Sequence, residues 1–152
     1  QAKDAGKSLE ENAQYIEDIK LKLCHWFTVD DLFFLKRGGR ISGVTATVGT
    51  MLSIKPILHV GDEGHLINVS KLRGRKAAIT ELLNRMEKLA VHPEDHDIFI
   101  SHGDCIDDAE KLDSIIKERF DNDRITISYV GPVIGAHSGP GTLALFFLGE
   151  HR

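Results

Sequence analysis

Cysteine is scarce. Only Cys24 and Cys105 occur among 152 residues. They stand far apart and form no metal-ligand spacing, so they read as free thiols, which excludes a disulfide scaffold. No apolar run approaches the roughly 18 residues that cross a bilayer, and no secretory pattern opens the chain. Residue 1 is Gln and the first segment is polar, which reads as a fragment or a processed chain. No internal repeat and no low-complexity linker is present. Gly38-Gly39-Arg40 and Gly139-Pro140-Gly141 are rich in glycine, yet neither matches a phosphate-binding or dinucleotide fingerprint. A Gly-x-Ser-x-Gly nucleophile elbow is missing too. A net charge of −4 and the lack of a nucleic-acid motif argue against nucleic acid as a partner.

What remains is an ordinary globular composition, 41% hydrophobic and 28% charged, at a length suited to one domain with a real core. Its charge is uneven. Eight cations (Lys36, Arg37, Arg40, Lys55, Lys71, Arg73, Arg75, Lys76) lie between Leu32 and Thr80 against Asp62 and Glu63, giving +6 there and −10 elsewhere. Such a segment can attract an anion or an acidic protein surface, or simply be a solvated face.

The hydrophobic pattern predicts a mixed α/β (α+β) domain with a hairpin and helices packed on a mixed sheet. Ser8-Leu9-Glu10-Glu11 has the form of a capping box, and Leu9, Ala13, Ile16, Ile19 and Leu23 follow at helical spacing. Cys24 to Val29 reads as a strand. Asp30 is placed to cap a brief helix over 31–37 that Gly38-Gly39 would stop. Ser42 to Leu52 is read as helical, although its β-branched residues oppose that. Pro56–Val60 and His65–Ser70 flank Gly61-Asp62-Glu63-Gly64 as a hairpin. The stripe Ile79, Leu82, Leu83, Met86, Leu89 predicts an amphipathic helix ending before Pro93. Ile98–Ser101 and Ile125–Val130 read as strands joined by a helix, with Asp104 as its cap and Ala109, Leu112, Ile115, Ile116 and Phe120 as its stripe. That unit predicts a parallel pair. Leu143–Leu148 is the last strand.

The stretch most able to carry chemistry is Val133 to Gly141. Gly135, Gly139, Pro140 and Gly141 hold His137 in what reads as a glycine-rich turn at the mouth of an apolar strand. An imidazole so placed can anchor a small anion or shuttle a proton, or it can be a histidine that merely sits in a turn. Eight histidines raise the question of a metal. Pro93 separates His92 from His96, and His102 has only Asp104 near it, so no metal site is expected. The small residues from Val44 to Ile54 can line a cavity or fill ordinary core. Arg40, Lys71, Arg73 and Arg75 can supply positive potential near its mouth.

Three segments together resemble one family. Asp30-Asp31-Leu32-Phe33-Phe34-Leu35-Lys36-Arg37-Gly38-Gly39-Arg40-Ile41-Ser42 is the first. Leu52-Ser53-Ile54-Lys55-Pro56-Ile57-Leu58 with Lys71-Leu72-Arg73-Gly74 is the second, and Gly131 to Gly141 the third. They resemble DegV proteins, bacterial fatty-acid-binding proteins that present acyl chains to a fatty acid kinase. The resemblance implies a two-domain protein, with residues 1–23 the helical tail of a first domain and 24–152 the second. It implies a cytoplasmic lipid-binding protein that is not itself an enzyme, with a long-chain fatty acid such as palmitate as ligand and no cofactor. It implies head-group contacts from His137, Ser138, Gly139 and Arg40. Kinase docking would fall to Lys36, Arg37, Lys71 and Arg73, with no nucleic acid and no stable membrane insertion. Ser138 stands where many relatives carry Thr. The rival readings are a small hydrolase or acyl transferase with His137 as general base, and an interaction domain with a basic docking face.

Overall fold

The computed structural model describes residues 5–41 and 53–152. The chain runs α1 (Leu9–Ile19), β1 (Leu23–Thr28), α2 (Leu32–Arg37), β2 (Ile54–Val60), β3 (Leu66–Arg73), α3 (Arg75–Leu89), β4 (Ile98–His102), α4 (Ile106–Phe120), β5 (Ile125–Tyr129), α5 (Pro132–Ser138) and β6 (Leu143–Leu148). The strands form one sheet in the order β3-β2-β1-β6-β4-β5. β4 and β5 pair in parallel, and the other neighbours are antiparallel. The mixed sheet, the hairpin β2–β3 and the parallel unit follow the hydrophobic pattern.

β1 shows why the sheet has two different faces. Successive side chains of a strand point to opposite sides. Cys24, Trp26 and Thr28 are buried on one side, while Leu23, His25 and Phe27 are partly exposed on the other. The first side is closed by the apolar stripes of α3 and α4. Ile79, Leu82, Leu83 and Met86 of α3 and Ala109, Leu112 and Ile116 of α4 pack there with Ile100, Leu145 and Phe147 of the sheet. A smaller cluster on the other side joins Val29, Leu32, Leu35 and Leu58, with Phe27, Ile41 and Leu66 against it.

Several local expectations need correction. The capping box of α1 forms as the sequence predicts, but none of its apolar residues is buried, and Leu23 belongs to β1 instead. Asp31, not Asp30, caps α2, its Oδ1 accepting from Phe33 N at 2.8 Å. Asp30 is drawn away into ion pairs with Lys55 and Arg75. Asp104 does not cap α4. It adopts a left-handed backbone (φ 55°), and Cys105 takes the N-cap position without a side-chain bond. The turn around His137 is a short helix, α5, with Pro132 in its first turn. The prediction for Ser42–Leu52 lies outside the described residues, and so does most of Val44–Ile54. Ile54 itself opens β2.

Both cysteines are free. Burial pushes the Cys24 thiol up to about 11 and raises that of Cys105, so neither is a ready thiolate. Among the described residues no helix is long and apolar enough to cross a membrane.

Candidate functional site

The open side of the sheet contains a cavity of about 360 Å³. β1, β4 and β6 form its floor through His25, Phe27, Ser101, Ala144 and Phe146, and α2 and α5 close one end through Leu35, Ile134, His137 and Ser138. Its walls are mainly apolar, and Arg40 joins His137 along them.

Two glycines let α2 and α5 meet closely enough to form that end. A Cβ on Gly38 would lie 2.2 Å from His137 Nδ1, so the imidazole rests directly on the backbone where α2 stops. Gly139 has φ +78°, and a Cβ there would fall 2.6 Å from the ring of Phe34. No larger residue fits either place without moving the histidine or the aromatic ring. Arg40 converges on the same point, its Nη1 donating to Gly38 O and its backbone N–H to Leu35 O at 2.8 Å.

The structure therefore brings His137, Ser138 and Arg40 to one cavity. Their roles differ. Ser138 is buried, and its hydroxyl donates to Ile134 O at 2.8 Å. A hydroxyl has one proton, so in this arrangement Ser138 can only accept from a ligand. Gly139 does not line the cavity, and its carbonyl accepts from Thr142 Oγ1 at 2.7 Å. Of the docking candidates, Lys36 and Arg37 stand over the rings of Phe33 and Phe34 on α2. Lys71 and Arg73 occupy exposed positions of the edge strand β3. Lys55 and Arg75, which sequence reading left as open cations, are engaged in internal ion pairs.

Two cavity residues escaped sequence reasoning. His25 meets Phe146 edge to face, centroids 5.3 Å apart, and its Nε2 is buried without a hydrogen-bond partner. Burial, assisted by Arg152, lowers its pKa below the ordinary histidine value. Tyr129 lines the cavity from β5 and covers the buried His102, the rings 4.4 Å apart. The alternation of β1 was the available signal for His25: it is the one polar position between Leu23 and Phe27 on that side. His102 is structural, its Nδ1 accepting from Cys105 N at 3.3 Å. Among the described residues, His92, Glu94 and Asp95 form an exposed group with the spacing of a metal site, and His96 is not part of it.

A second hollow of about 500 Å³ lies at the α2 and α4 N-termini, and it is charged where the first is greasy. Asp30, Lys55, Arg75, Cys105 and Asp108 line it.

A family profile described as "Uncharacterised protein, DegV family" matches residues 1–150. The chain belongs to the DegV family. The DegV domain-containing protein CPE0026 of Clostridium perfringens is 51% identical over the whole chain, which covers 52% of that relative. The chain thus spans about half the length of the curated relatives it matches. Among solved structures, a DegV family protein from Thermus thermophilus, reported for its fatty acid binding, is 30% identical with a TM-score of 0.82, over 97% of this chain and 53% of that one. The Streptococcus pneumoniae Fatty Acid Kinase (Fak) B3 protein loaded with linoleic acid shares the fold at a TM-score of 0.87 and 21% identity, over 98% of this chain and 52% of that one.

Proposed function

We propose that this DegV protein binds a long-chain fatty acid such as palmitate in the cavity under α2 and α5. Its carboxylate would sit at His137 and Arg40, open to a partner kinase that phosphorylates it. The observation that carries this reading is the convergence of His137 and Arg40 on one apolar cavity of about 360 Å³, within the size range of small-molecule sites. Each buried methylene contributes about 0.8 kcal/mol. A charge-assisted hydrogen bond at the head adds about 1.5–3 kcal/mol. The tail therefore sets affinity, and the histidine and arginine fix which end faces out. The fatty acids bound by the T. thermophilus and S. pneumoniae relatives support the ligand class, and the name of the second supports a kinase as partner. Lys36 and Arg37, beside the head-group end on α2, and Lys71 and Arg73 on β3 are the cations offered to an acidic kinase surface. The reading puts the protein in the bacterial cytoplasm.

The protein itself is read as a carrier. A hydrolase or acyl transferase would need a hydroxyl that gives its proton to His137. The neighbouring Ser138 gives its proton to Ile134 O instead.

Lipid extracted from the purified protein and identified by mass spectrometry tests the proposal. A fatty acid at near-stoichiometric yield is the expected result, with retention reduced by His137→Ala. An empty protein that also ignores added palmitate ends this reading. Steady release of product from acyl esters without a partner would favour the enzyme.

A further inference from the structure

Arg75 sits at the first position of α3 with its side chain only 19% exposed. Its guanidinium uses every edge. Nε donates to Asp108 Oδ2 at 2.7 Å. Nη1 donates to Gly141 O at 2.7 Å and reaches Asp30 Oδ1 at 3.5 Å. Nη2 points at Cys105 Sγ, 3.4 Å away. Lys55 Nζ holds the same Asp30 oxygen at 2.7 Å.

What these partners have in common is their place in the chain. Asp30 lies just before α2, and Gly141 lies just after α5. The Asp30 carboxylate also presses on Gly141, where a Cβ would stand 2.4 Å from Asp30 Cγ. The two helices of the head-group site have only 6 and 7 residues. Isolated helices shorter than about 12–15 residues are marginal in water, so α2 and α5 depend on ties at their ends. One planar fork provides them. It clamps the entrance of α2 and the exit of α5 to each other and to the first turn of α4.

We infer that Arg75 is a positioning residue for the carboxylate site: it fixes α2 against α5 so that His137 rests on the Gly38 backbone at the cavity rim. The inference rests on the fatty-acid reading and assigns Arg75 no contact with the ligand. Lysine cannot replace it, because an ammonium lacks the planar arrangement of donors that spans three segments at once.

The test compares the dissociation constants of palmitate and its methyl ester, which keeps the tail and removes the charge. Wild type, Arg75→Lys, His137→Ala and the double variant are measured in parallel. The expected result is a loss of about tenfold in palmitate affinity for Arg75→Lys, the equivalent of one weakened charge-assisted bond, with ester affinity unchanged. That loss disappears in the His137→Ala background, since the arginine acts through the histidine. Should Arg75→Lys fail to fold, Asp30→Asn, which leaves the Gly141 bond in place, must show the same selective loss in smaller measure. Equal losses for acid and ester, or no loss for either, overturn the inference while leaving the fatty-acid reading intact. A wild-type protein that binds neither ligand removes both.

Discussion

The two faces of the sheet are built from the same strands and treated in opposite ways. On the α3–α4 face, Leu82, Met86, Leu112 and Ile116 are fully enclosed against Ile100 and Leu145. On the other face, α2 and α5 cover one end, while Phe99, Val133 and Ile134 keep between 46% and 67% of their surface exposed. Apolar burial is the main favourable term in folding, so stability is concentrated on the closed face. The open face keeps an apolar hollow whose lining includes a histidine and an arginine. The same strands are thus fully covered on one side and only partly covered on the other.

The sharpest way to break this contrast is to cut into each face and compare. Leu82→Ala on the closed face should cost about 2–5 kcal/mol, read as a fall in the denaturant midpoint at constant slope. A cost below 1 kcal/mol would mean the closed face is not where stability resides.

A smaller effect tests the boundary between the faces. Burial holds His25 and His59 below the ordinary histidine value of 6.5. As pH falls through that value, the unfolded chain takes up protons before the folded one does, so stability declines on acidification. His25→Phe keeps an aromatic ring against Phe146 and removes an unpaired nitrogen. It should stabilise by about 1 kcal/mol and flatten part of the decline between pH 7 and 5 in denaturant titrations, with His59 supplying the remainder. An unchanged pH slope would show that His25 does not contribute to the acid-side decline.

The smallest change belongs to the open face. Val133, 67% exposed on α5, should tolerate Val133→Ser within about 0.5 kcal/mol by thermal melting. A loss as large as that of Leu82→Ala would erase the difference between the faces.

Elements whose own residues decide their structure were legible in the sequence. The stripe of α3 and the glycines between β2 and β3 specify a helix and a hairpin without outside help. Where a distant partner decides, sequence reading failed. The sequence points to Asp30 as a cap because nothing nearby in the chain reveals its ion pairs with Lys55 and Arg75. The apolar stripe of α1 is helical from Leu9 to Ile19 while Leu23 falls in β1, and among the described residues none of its members is buried. Around His137, Gly135 and Gly139 were read as turn residues. Pro132, favoured at the first turn of a helix, was the overlooked sign that a helix begins there. His137 and Arg40 were placed at a common cavity by motif and resemblance. That Gly38 is their shared support required coordinates, because close approach leaves no trace in spacing.

β6 is the last strand in chain order, but it lies in the middle of the sheet, between β1 and β4. Its partners are separated from it by long stretches of sequence, a topology that slows folding. On the ribosome, the β1–β2–β3 group and the β4–β5 pair must wait as two unjoined pieces until residues 143–148 emerge and bridge them. Because His137 directly precedes this bridging strand, the cavity that His137 lines cannot be complete before the two halves of the sheet are joined.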